Sequence, residues 1–170
     1  ENRRSNNAVS SIPEDELTPS YDIVGVEASQ EPQEDNKKEN TIDGNFLTKW
    51  AAEGTADITW DLGEVKTVGF VGLSFQNGSK RTQKIDISLS EDGENWTEVF
   101  AGDTCGTTEA QELFDCKNIP ARYVKMGSYG NSAGTGWVSL TTVSVYQSSA
   151  SGEIKVSEPK NIGTEKIVAD

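Results

Sequence analysis

Histidine is absent from the 170-residue sequence, and its absence decides more about the available chemistry than any residue present. A Ser-His-Asp triad, a Cys-His nucleophile and a His-ligated metal are all excluded, along with the usual proton shuttle near neutral pH. Carboxylates, Lys, Tyr and Ser/Thr remain. With 28 acidic side chains, however, some carboxylate pair falls close together by chance, so no catalytic pair is legible and the chain is not expected to be an enzyme. The two cysteines, Cys105 and Cys116, have no CxxC spacing, which leaves no thiolate–imidazole zinc site. They flank an expected turn. Either a disulfide closes that loop, as in an oxidising compartment, or two thiols are buried free; the disulfide is the expectation.

Fifteen basic against 28 acidic residues give a formal net charge of −13. Such a surface repels phosphate backbones and anionic lipid, so nucleic acid is not an expected partner. No apolar run approaches the ~20 residues of a membrane span. The chain opens on Glu1 rather than Met, and the expectation is that an export signal has been removed and that the protein works outside the cell or at its surface. Against this acidity, Lys80, Arg81 and Lys84 form a local basic cluster.

The elements that would position these groups lie in the middle of the chain. Residues 1–20 are polar, with two prolines and no period, and read as a tail or linker. Residues 149–170 begin in Ser/Ala/Gly and read as a linker to a further module. Residues 21–148 are the expected folded module. In Ala56–Leu62, Ile58, Trp60 and Leu62 alternate with polar residues, as in a half-buried strand. Val68–Phe75 is apolar on both faces, which suits a central strand, and its glycines at 69 and 72 suit close sheet packing. Lys84–Ser90, Trp96–Phe100, Glu112–Asp115, Arg122–Met126 and Ser139–Tyr146 follow, punctuated by Asn-Gly, Asp-Gly and Pro. Short strands with such turns, and no amphipathic helix, predict an all-β antiparallel sandwich.

Four landmarks in order carry a family resemblance: Asn40–Trp50 (NTIDGNFLTKW), Asp61-Leu62-Gly63, Ser90–Trp96 (SEDGENW) and Ala121–Lys125 (ARYVK). Together they resemble the factor V/VIII type C, or discoidin-like, domains over residues 22–147. The resemblance implies a jelly-roll β-sandwich and a structural calcium ion in the Asp-Gly loop. Calcium takes six to eight hard oxygen ligands, and the resemblance assigns them to Asn40, Asp43, Asn45 and Thr48, with Thr142 where the family often has a glutamate. A metal-free loop held by Asx turns is the alternative.

Within these domains the chain is most similar to carbohydrate-binding modules of family thirty-two and relatives, attached to bacterial polysaccharide-degrading enzymes. Two segments carry this: Phe75–Arg81, and the Gly-rich stretch from Gly127 through Trp137. The resemblance implies binding of polysaccharide or oligosaccharide through loops at one end, with other modules covalently attached. Sugars stack on aromatic faces while polar side chains take their hydroxyls. Arg81 and Asn131 are the expected polar contacts and Tyr129 the expected platform, with Trp50 and Trp137 behind it. Lys80 and its basic neighbours would suit an acidic or sulfated glycan. Trp60 and Trp96 are expected in the core, whereas Trp50 and Trp137 suit core or site equally. Val138 stands where the family often has Asn, so specificity does not transfer. The competing function is a protein-interaction or adhesion domain on the same fold.

Overall fold

The computed structural model describes residues 20–30 and 35–147; the expected tail, but for Ser20, and the expected C-terminal linker lie outside the described residues. Among the described residues seven strands follow in order: β1 (Gly25–Ala28), β2 (Trp50–Glu53), β3 (Ala56–Phe75), β4 (Gln83–Ser90), β5 (Thr97–Asp103), β6 (Glu112–Asn131) and β7 (Trp137–Tyr146). A short 3-10 helix, Lys38–Ile42, precedes β2. All strand pairs are antiparallel, in the order β2-β7-β3-β6-β4-β5 with β1 on β3.

The two 20-residue strands make this arrangement a sandwich. β3 and β6 pair along their lengths, but the register shifts between Asp61 and Lys66 and again between Val68 and Phe70. At such irregularities a strand bends and passes from one layer to the other. Residues 56–61 of β3 lie with β1 and the second half of β6, which continues to β4 and β5. Residues 70–75 of β3 lie with β7, β2 and the start of β6. Between the layers lie Ile58, Trp60, Leu73, Ile85, Ile87, Leu89, Phe114, Met126 and Leu140, all fully buried. Each contributes about 1.5–3 kcal/mol of burial before conformational entropy is subtracted.

The fold class is the one expected from the sequence, and the alternation of Ala56–Leu62 and Lys84–Ser90 reappears as alternating burial. The element boundaries differ. Ala56–Leu62 and Val68–Phe75 are one strand, and Glu112–Asp115 and Arg122–Met126 are another, because pairing resumes across each bend. β1 and β2 are four-residue strands, too short to show a period. Gly72 serves a side chain rather than a second sheet: a Cβ there would stand 2.5 Å from Gln111 Oε1. Trp96 is half-buried rather than core, with the Lys125 ammonium 4.1 Å above its ring.

The expected disulfide is corrected: Cys105 and Cys116 are both free and buried. The backbone N–H of Cys105 is anchored on Glu112 Oε1, at the start of β6. Cys116 lies four residues further along that strand, a displacement of roughly 13 Å at ~3.3 Å per residue, and disulfides need Cα atoms within about 7 Å. Burial and the Glu112 carboxylate push the Cys105 thiol up to about 11, and burial raises that of Cys116 further. Among the described residues, no helix is long and apolar enough to cross a membrane.

Candidate functional site

Strand ends and loops from both layers converge at one end of the sandwich, where backbone and side-chain hydrogen bonds join them. Thr82 N–H donates to Ser132 Oγ at 2.8 Å, and Ser132 N–H donates back to Thr82 O at 2.9 Å. Thr104 N–H donates to Gln83 O at 2.9 Å, while Gln83 N–H donates to Thr104 Oγ1 at 2.9 Å. Gln76 N–H reaches Ser139 O at 2.9 Å, and Gly54 N–H reaches Gly136 O at 2.8 Å. The loops after β3, β5 and β6 and the β2–β3 turn are therefore one cluster. Arg81 and Asn131 each adjoin a member of the Thr82–Ser132 pair, on the diagonal of that pairing, since Asn131 stands opposite Gln83.

Within this cluster the residues divide by role. Arg81 is half-buried and Lys80 exposed. Among the described residues, no ion pair or hydrogen bond engages the Arg81 guanidinium, so its donors are available to a ligand. Asn131 is spent on its own loop. Its Nδ2 donates to Thr135 Oγ1 and to Trp137 O, both at 2.8 Å, and its Oδ1 accepts from Ala133 N–H at 2.9 Å and Thr135 N–H at 3.4 Å. It builds the frame on which Trp137 stands, and Trp137 is 42% exposed.

Tyr129 and Trp50 fare differently. Tyr129 is 47% exposed on the outer face of β6, two residues before Asn131, at the rim of the cluster. Its hydroxyl donates to Asp86 Oδ2 at 2.6 Å. That bond, partial burial and the charges of Asp86, Asp57 and Glu98 push the phenol up to about 12. Trp50 is fully buried in β2, opposite Leu140, and has no face to offer a ligand; this corrects its place among the site residues. Lys84 lies on the outer face of β4, paired with Asp103, apart from the loop that carries Lys80 and Arg81. Asp86 and Gln83, which touch the Tyr129–Asn131 segment, were not among the expected residues. In the sequence, Asp86 is one more exposed polar position of an alternating strand.

The Asp43 loop lies elsewhere, against β7 and β2. Asp43 Oδ1 accepts from Asn45 N–H at 2.9 Å and Oδ2 from the Thr48 hydroxyl at 2.6 Å, so each oxygen keeps a lone pair. Asn40 closes the loop's ends, donating from Nδ2 to Asp35 O at 2.7 Å and Lys49 O at 2.8 Å. The Thr142 hydroxyl is engaged by Ser74 Oγ at 2.6 Å and Gln111 Nε2 at 3.0 Å. Among the described residues, no group of three or more His, Cys, Asp or Glu is placed to hold a metal. Asp43, Asn45 and Thr48 are hard oxygen donors of the type calcium takes, with one carboxylate among them.

Residues 25–143 match the F5/8 type C domain family. The CBM32 of AlyQ, in complex with 4,5-unsaturated mannuronic acid, is similar at 42% identity and a TM-score of 0.71, over 75% of this chain and 98% of that one. A truncated AlyQ with CBM32 and alginate lyase domains is similar at 38% identity and a TM-score of 0.72, over 84% of this chain and 35% of that one. Galactose oxidase of Gibberella zeae is 28% identical over 138 residues, 75% of this chain. The chain spans 20% of the length of that curated relative.

Proposed function

The chain belongs to the F5/8 type C domain family, and from that premise we propose that it is a non-catalytic carbohydrate-binding module of a secreted, multi-modular protein. The observation that carries this reading is the Thr82–Ser132 pair. It holds an Arg81 guanidinium with no partner among the described residues in the same loop cluster as the exposed face of Trp137. An exposed aromatic and a planar five-donor group in one loop cluster supply what a sugar ring with a carboxylate needs: stacking for the ring, a forked bond for the acid.

The ligand class is an acidic polysaccharide. Two features support it: Lys80 and Arg81 are adjacent cations on a chain of −13, and the similar AlyQ module is in complex with an unsaturated mannuronic acid. The AlyQ chain that joins such a module to alginate lyase domains supports attachment to a polysaccharide-degrading enzyme. A structural calcium ion in the Asp43 loop, held by Asp43, Asn45 and Thr48, belongs to the same proposal; when bound it would cross-link the loop.

The test is retardation of the whole chain on affinity gels of alginate, pectin and neutral polysaccharides. We expect weak, micromolar to millimolar binding to the uronate polymers that falls with added salt, since ions screen an exposed charge pair within a Debye length of about 10 Å at 0.1 M. Arg81→Ala should remove retardation at an unchanged melting temperature. Binding to none of the polymers would defeat the proposal and favour protein contact, for which Phe46 and Leu47, 50% and 92% exposed on the Asp43 loop, supply the apolar surface.

A further inference from the structure

β4 grips the end of β6 from both faces of the sheet. Its side chains alternate, so Gln83 enters between the layers while Asp86 faces outward. Gln83 is buried, and its Nε2 donates to Ser128 Oγ at 2.9 Å and to Gly130 O at 2.8 Å. Gly130, with φ at +114°, is the left-handed bend between Tyr129 and Asn131, so this buried amide holds the backbone where β6 leaves the layer. On the opposite face, Asp86 Oδ1 accepts from Gly127 N–H at 3.0 Å and Oδ2 from the Tyr129 hydroxyl at 2.6 Å. A Cβ on Gly127 would stand 2.5 Å from that Oδ1 and 2.6 Å from the Tyr129 hydroxyl oxygen. The bare α-carbon is what allows the carboxylate and the phenol to meet across the strand.

Asp86 lies outside the family landmarks and outside the two loop segments that carry the resemblance. We propose that Asp86 is a positioning residue of the glycan site: with Gly127 beneath it, its carboxylate holds Tyr129 in one orientation, so that the ring presents a stationary face at the rim of the Arg81 cluster. This rests on the reading of the loop end as a glycan site. An exposed tyrosine free to rotate loses that freedom when a sugar stacks on it; a ring already held does not, a difference of roughly two- to tenfold in affinity per side chain. Asp86 acts through Tyr129 and need not touch the ligand. The raised Tyr129 phenol gives the arrangement its own spectroscopic signature, independent of any sugar.

The test uses the whole chain titrated calorimetrically with an oligomannuronate, in wild type, Asp86→Ala, Tyr129→Ala, the double variant, and Arg81→Ala as the marker of the site. Asp86→Ala is expected to weaken binding by about two- to tenfold in a protein that remains folded by circular dichroism, and to add nothing in the Tyr129→Ala background, because groups that act as a unit are non-additive. In an absorbance titration, with Tyr129→Phe identifying the transition, Asp86→Ala should bring the Tyr129 phenol down toward ~10. If Arg81→Ala loses binding while Asp86→Ala or Tyr129→Ala binds as wild type does, this inference is overturned and the carbohydrate reading stands. An equal loss from Asp86→Ala with and without the ring overturns it too, since Asp86 would then contact the ligand itself. If the wild type binds neither oligomannuronate nor the polysaccharide gels, both fall.

Discussion

Two loops of this molecule are each organised around one short polar side chain, and they are built to different ends. Asp43 accepts two hydrogen bonds, from Asn45 N–H and the Thr48 hydroxyl, and donates none. Its loop has a net negative charge at its centre and exposes Phe46 and Leu47. Asn131 both donates and accepts, and its four bonds close the 131–137 loop without leaving any charge there. An amide that satisfies its own loop needs no ion, whereas a carboxylate with spare lone pairs gains from one. The 131–137 loop is thus self-sufficient, whereas the Asp43 loop keeps a carboxylate whose lone pairs are not all used.

The largest effect that would sharpen this contrast is that of Asn131→Ala. With the frame under Trp137 gone, binding to uronate gels should fall tenfold or more, and stability by about 0.5–1.5 kcal/mol for the lost loop hydrogen bonds, whose partners are exposed to water. Denaturant midpoints and gel retardation measure the two. An Asn131→Ala protein that binds normally would mean that the loop is held by its backbone stitches alone. Next in size is calcium on the wild type: ion at a hundredfold excess over its dissociation constant should raise stability by about 2.7 kcal/mol, with chelator reversing it. Asp43→Ala should abolish that response and cost roughly 1 kcal/mol by itself, for the lost loop bonds. A melting temperature indifferent to both calcium and chelator would leave the Asp43 loop as self-sufficient as its counterpart.

A smaller effect separates the rim from the rest of the sandwich. The neutral Tyr129 phenol is the form that bonds to Asp86, and its folded value is raised to about 12. Its contribution is therefore intact below the ordinary tyrosine value near 10 and is lost as pH rises through the folded value. Denaturant midpoints between pH ~9 and ~12 should fall more steeply in wild type than in Tyr129→Phe; parallel curves would show that the Asp86 bond does not contribute. Thiol labelling should show the least change of all. Two thiols per chain should react after denaturation without reductant, and both should be slow in the native protein, where burial disfavours the thiolate. A denatured chain without reactive thiols would restore the disulfide.

The alternation in Ala56–Leu62 and Lys84–Ser90 was enough to place Ile58, Trp60, Ile85, Ile87 and Leu89 inside, because a strand's side chains alternate whatever lies around it. The turn residues likewise made the all-β class legible. Arg81 and Asn131 are candidates through the resemblance alone, since they lie 50 residues apart and no local period connects them.

What stayed hidden has a common cause. Trp50 and Trp137 lie in similar local surroundings, yet Trp50 is fully buried and Trp137 is 42% exposed. Periodicity tells which residues share a face, not which face another layer covers, and the covering layer comes from residues far along the chain. The same holds for the cysteines, since the Cys105–Glu112 bond ties Cys105 to the start of β6 while Cys116 lies further along it, and for Asp86, which meets Tyr129 only because register places Gly127 opposite it. Local pattern determined the strands and the class; the site, its frame and the state of the thiols were decided by register and by how the two layers pack.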